Sequence, residues 1–107
     1  MEKSFSERVW EAAKHVPKGR VTTYKEIAHA LGCRAYRAVG NALNRNPYAP
    51  IVPCHRIVGS DGSLAGFAQG LKKKEMLLKS EGVAIEKGKV KNFKKVFCRL
   101  KKSHQSI

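Results

Sequence analysis

The sequence predicts a small, mainly α domain with minimal β-structure, and three observations carry that expectation. Apolar residues recur at helical spacing in segments that open on Ser or Thr and stop at Gly or Pro. A length of 107 residues with 42% hydrophobic content allows one modest core and excludes two full-sized domains. Extended backbone is expected only around Arg20 to Thr22 and in the C-terminal tail.

The first helix is expected from Phe5 to Val16. Ser4 and Glu7 have capping-box spacing, and Phe5, Val9, Ala12, Ala13 and Val16 form its apolar stripe before Pro17 and Gly19 end it. Thr23 and Glu26 repeat that spacing and open a short second helix through Ile27 and Leu31, stopped by Gly32. A third helix, from Arg37 to about Asn44, is thin at Ala38, Gly40 and Ala42, which suits close approach to a partner. With Arg37, Asn41 and Arg45 on the third helix, the pair reads as a helix-turn-helix or as an ordinary helical hairpin, and pattern alone does not separate the two. Two prolines, Pro47 and Pro50, hold the next segment as an extended loop. Ser60 to Ser63 reads as a turn, and Gly66 to Gly70 as a glycine-bracketed loop. A helix from Leu71 to Ser80 follows, with Met76 and Leu77 inward, Lys72, Lys73 and Lys74 outward, and Gly82 as its stop. Residues 1–86 are read as the domain and 87–107 as a basic extension, a hairpin or helix with a frayed end that adds phosphate contacts.

Lysine and arginine number 22 against 8 acidic residues, a formal charge of +14, so the surface attracts polyanions. Nucleic acid is the leading partner class, although ribosomal proteins and membrane-surface binders share this balance. Cys33, Cys54 and Cys98 form no CxxC pair and leave an odd thiol in any disulfide scheme, which favours a reducing compartment. With His55 they lack zinc-finger spacing, so no metal is expected. The charged N-terminus is not a signal peptide, and no apolar run approaches the roughly 20 residues of a membrane span. A cytoplasmic or nucleoid-associated protein, with no membrane, is expected.

Chemistry concentrates at Ile51-Val52-Pro53-Cys54-His55-Arg56-Ile57-Val58, where an apolar frame surrounds a thiol, an imidazole and a guanidinium. An imidazole can take a thiol proton and release the nucleophile. A lone Cys-His pair is more often structural, since free cysteine packs as a small hydrophobe.

The neighbouring residues change that balance. The string around Pro53-Cys54-His55-Arg56 resembles the active-site signature of the O6-alkylguanine-DNA alkyltransferases, the methylated-DNA-protein-cysteine methyltransferases. Supporting segments occur in the same order: Val21-Thr22-Thr23-Tyr24, Arg37-Ala38-Val39-Gly40, Asn46-Pro47, Gly66-Phe67-Ala68, and Lys74 to Leu78 followed by Glu81-Gly82. The likeness spans about Phe5 to Gly82 and implies a winged-helix-like domain with a helix-turn-helix. It also implies single-turnover repair without a cofactor, by a monomer acting on double-stranded DNA. Cys54 would take the alkyl group from O6-alkylguanine, with O4-alkylthymine as a possible second substrate. By the same resemblance His55 is the base, Glu81 orients it, Asn46 holds the local hydrogen bonds and Tyr24 donates to the base. Arg37 fills the space of the flipped nucleotide, while Ala38, Gly40, Asn41 and Arg45 face DNA through the minor groove. Pro50, Val52, Ile57, Phe67 and Ala68 line the pocket.

Departures from the family pattern are few. Its usual protein carries a further N-terminal domain, so fold and activity are expected to be self-sufficient here. The loop from Gly32 to Tyr36 is about one residue short, which shifts the expected placement of Arg37. Ala68-Gln69 stands where a small pair is common, and Gln69 could narrow the pocket mouth. Two competing readings are a non-catalytic damage binder of the alkyltransferase-like kind and a basic transcription regulator in which Cys54 is merely buried.

Overall fold

The computed structural model describes residues 4–47, 52–64 and 70–100. Helix α1 (Phe5–Ala13) starts on the expected box: Glu7 N donates to Ser4 Oγ at 3.2 Å, and Ser4 N donates to Glu7 Oε1 at 2.8 Å. It ends three residues before Val16, which stays buried through turn bonds such as Val16 N to Ala13 O. Strand β1 (Thr22–Thr23) leads into α2 (Tyr24–Ala30), whose first turn is capped by Thr23 Oγ1 accepting from Glu26 N. The Glu26 carboxylate does not close the reciprocal box. It accepts instead from Leu100 N at 2.8 Å, a partner 74 residues away. After Gly32, held at φ +77°, α3 (Tyr36–Asn44) begins one residue earlier than expected.

Pro53 precedes a single 3-10 turn, Cys54–Arg56, which runs into β2 (Ile57–Val58). β1 and β2 pair in parallel, Thr22 with Ile57 and Thr23 with Val58. Consecutive strand residues point to opposite faces, and this pair therefore divides the interior. Ile57 faces the core of Val9, Val16, Ile27, Val39 and Cys54, and Val58 faces a second core of Val21, Leu64, Leu78, Val83 and Val90. Helix α4 (Leu71–Ser80) lies against the 3-10 turn.

On α4 the expected facing is corrected. Met76 is 67% exposed, whereas Lys74 is fully buried beside Leu78, one turn further on. The four-residue spacing places those two side chains on one face, and that face is the one turned to the protein.

The tail contains both a hairpin, β3 (Ile85–Glu86) with β4 (Lys89–Val90), and a short helix, α5 (Phe93–Val96). Beyond α5 the chain lies alongside β1. Val21 N donates to Val96 O, Cys98 N donates to Val21 O, and Thr22 Oγ1 donates to Cys98 O. Arg20 covers the carbonyls of Val96 and Phe97. Ile85, Phe93 and Val96 pack on the second core, while Cys98 and Leu100 pack on the first. The described residues thus form a mainly helical domain with two small sheets, matching the expected class.

Candidate active site and nucleic-acid interface

The 3-10 turn directs three consecutive side chains into a buried network. Cys54 is 7% exposed and His55 is 2% exposed. His55 Nε2 lies 2.9 Å from Glu81 Oε2, just past the end of α4. Arg56 grips the same carboxylate in bidentate fashion, Nε to Oε1 at 2.9 Å and Nη2 to Oε2 at 2.7 Å, and its Nη1 donates to Val16 O. Burial pushes the Glu81 carboxyl upward, but the bonds from Arg56 and His55 together outweigh it and hold the group below the usual carboxylate range. Burial lowers the His55 pKa more than Glu81 raises it, with Arg56 and Lys74 adding to the fall. The imidazole is therefore neutral at pH 7, as a base must be. With Nε2 committed to Glu81, Nδ1 is the nitrogen left for a neighbouring proton.

Lys74 reaches the same region from α4. Its Nζ donates to Ile57 O at 2.6 Å and lies 5.9 Å from the Tyr24 ring centroid. Burial lowers its pKa to about 8, against an opposing pull from Cys54. Tyr24 is half-buried at the start of α2. Desolvation, with the Cys54 charge adding, pushes its hydroxyl up to about 12, so it remains a donor at neutral pH. Thiol, phenol and ammonium thus share one electrostatic neighbourhood. Asn46 Nδ2 donates to Val52 O at 2.9 Å, tying the end of the helical pair to the segment that enters the 3-10 turn.

Of the expected pocket residues, Val52 and Ile57 are buried beside Cys54 in the first core. Pro50, Phe67 and Ala68 lie outside the described residues. Arg37 and Asn41 are exposed on α3 and Arg45 is exposed just past its end, and Ala38 and Gly40 are half-buried. A Cβ on Gly40 would lie 4.0 Å from Tyr24 Cε1, so α3 approaches Tyr24 at its thinnest point. Among the described residues no group of three His, Cys, Asp or Glu side chains is arranged to hold a metal, and no helix is long and apolar enough to cross a membrane.

Residues 4–83 match the family model described as "6-O-methylguanine DNA methyltransferase, DNA binding domain". The chain belongs to this family. A methylated-DNA-protein-cysteine methyltransferase of Methanosarcina barkeri is 59% identical over 78 residues, covering 72% of this chain and 49% of that protein. The Salmonella typhimurium protein of the same name is 46% identical over 82 residues, 76% of this chain and 48% of its own length. The chain thus spans about half the length of the curated relatives it matches. Among solved structures, Mycobacterium tuberculosis OGT in complex with DNA superposes with a TM-score of 0.71 at 44% identity, covering 76% of this chain and 51% of that one. S. pombe Atl1, crystallised with damaged DNA containing O6-carboxymethylguanine, gives a TM-score of 0.80 at 30% identity, covering 92% of this chain and 99% of that one.

Within this member of the alkyltransferase family, sequence reasoning left two residues of the network without a role. Arg56 stood inside the motif, and its bidentate hold on Glu81 is a tertiary fact. Lys74 was hidden in a run of three lysines. Its spacing from Leu78 was the available signal.

Proposed function

We propose that the protein repairs alkylated DNA by one irreversible transfer of an alkyl group from guanine O6 to Cys54. The observation that carries this reading is the nearly enclosed Cys54 on a 3-10 turn whose next residue, His55, is kept neutral by burial and oriented by a Glu81 clamped by Arg56. His55 Nδ1 takes the thiol proton, directly or through one water, and the imidazolium is stabilised by Glu81. The Lys74 ammonium favours the thiolate that results. Sulfur attacks the alkyl carbon, the S–C bond forms as the C–O6 bond breaks, and the electron pair leaves on the guanine. The Tyr24 hydroxyl supplies a donor to that developing negative charge. The product thioether is a poor leaving group, so the thiol is not regenerated.

A thiol this enclosed cannot reach a base inside the duplex, so the nucleotide must be rotated out of the stack. Arg37 is suited to occupy the vacated space, with Ala38, Gly40, Asn41 and Arg45 against the minor groove. The partner is double-stranded DNA bearing O6-alkylguanine, with O4-alkylthymine as a secondary lesion. The protein acts as a monomer in the cytoplasm or nucleoid, without a cofactor.

Intact mass spectrometry after incubation with duplex containing O6-methylguanine tests this. The wild type gains one methylene unit, and Cys54→Ala gains none while leaving the lesion in place. The likeness to Atl1 along nearly all of both chains favours a second reading, lesion binding without transfer. Tight binding with unchanged protein mass would select it.

A further inference from the structure

Tyr36 is the first residue of α3, yet it is 39% exposed while Val39, one turn on, is fully buried. The Tyr36 N–H donates to Arg34 O at 2.9 Å, which fixes the backbone where the helix starts, and the His29 ring of α2 lies tilted against the Tyr36 ring at a centroid separation of 6.5 Å. Along the helix it stands directly before Gly40, the residue at which α3 meets Tyr24. Residues four apart on a helix are neighbours on one face, so Tyr36 lies one turn from the thin point beside Tyr24. Its surroundings are cationic. Arg34 and Arg37 are exposed on either side, and the first turn of α3 contains no acid.

We propose that Tyr36 is a positioning residue for repair of duplex DNA, its ring stacking on the base-pair step beside the extruded nucleotide while Arg37 fills the vacancy. This rests on the repair reading above. Side chains inserted from the minor groove unstack a base step and keep it open. A tyrosine suits that task because it offers a broad flat face with few torsions to freeze. A long arginine alone loses more freedom for the same contact. The aromatic ring also tolerates any neighbouring base, since every base presents a π-face. A repair protein that meets its lesion in any sequence context requires such tolerance.

The test compares single-turnover methyl transfer to Cys54, read by intact mass, on two substrates: an O6-methylguanine duplex and the same lesion strand alone, which has no partner strand to hold open. Tyr36→Ala is expected to slow transfer from the duplex about tenfold, within the range of base–aromatic stacks, and to leave the single strand within about twofold of wild type. Tyr36→Phe is expected to restore the duplex rate, because the ring and not the hydroxyl carries the contact. In parallel, 2-aminopurine placed next to the lesion should brighten on binding wild type and brighten less with Tyr36→Ala. An unchanged duplex rate in Tyr36→Ala overturns the proposal. So does equal slowing on both substrates, which marks a general defect of the site, and so does a Phe variant as slow as the Ala variant. Failure of the wild type to gain mass on either substrate removes the repair reading itself, a result distinct from all three.

Discussion

Lys74 permits a quantitative test, because a fully buried ammonium links stability to pH. Its pKa is about 8 in the folded protein against 10.5 for an unperturbed lysine, with burial as the main cause. Below pH 8 both folded and unfolded chains carry the proton, and folding bears the full cost of desolvating it. Between 8 and 10.5 the unfolded chain holds more protons, so stability rises with pH; above 10.5 neither state is charged there. The gap of about 2.5 pH units, at about 1.4 kcal/mol each, comes to roughly 3 kcal/mol in total. Lys74→Met removes this dependence. It also leaves Ile57 O without its donor, so absolute stabilities mix two effects, and the difference in pH slope isolates the charge. Urea unfolding followed by the fluorescence of Trp10, whose indole donates to Ala42 O, should show wild type gaining about 2 kcal/mol over the variant from pH 8 to about 9.5. Profiles that run parallel to within about 0.5 kcal/mol would refute the claim that this ammonium is desolvated.

Other expectations follow from the same geometry. Glu81→Ala leaves the Arg56 guanidinium without its carboxylate; it should cost about 3 kcal/mol in urea titration and slow methyl transfer about a hundredfold. Because burial holds the His55 pKa below 6.5, the acid-side decline of the repair rate should have its midpoint below 6.5; a midpoint above 6.5 contradicts the neutral-base assignment. The same depression means that the folded chain binds that proton less tightly than the unfolded one, so stability falls as pH drops through 6.5. Val90→Ala, in the second core, should cost about 2 kcal/mol, and removal of residues 87–107 should abolish cooperative thermal unfolding. A truncated chain melting at the wild-type temperature would show that residues 1–86 are self-sufficient.

The legible parts of this protein are those encoded by neighbours in sequence. Ser4 and Thr23 announce their helix starts because a cap is a contact over three residues, and Gly32 and Gly82 stop helices because both adopt positive φ. The cluster at Cys54 and His55 was singled out by its likeness to the alkyltransferase signature, since a Cys-His pair alone reads as structural. What stayed hidden depends on partners distant in the chain. Glu26 has capping-box spacing, yet it serves a backbone amide 74 residues away. Lys74 reads as one of three solvated lysines until Ile57 O and Cys54 are placed beside it. Strands of two residues, such as Ile57–Val58, are too short for any alternation to declare them.

The pairing of Val21 with Phe97 bears on how the molecule is born. Synthesis proceeds from the N-terminus, and contacts between distant residues form late because the intervening loop must first close. Val21 and Thr22 therefore gain their outer neighbours only once Phe97 and Cys98 have been made, 76 residues after each of them.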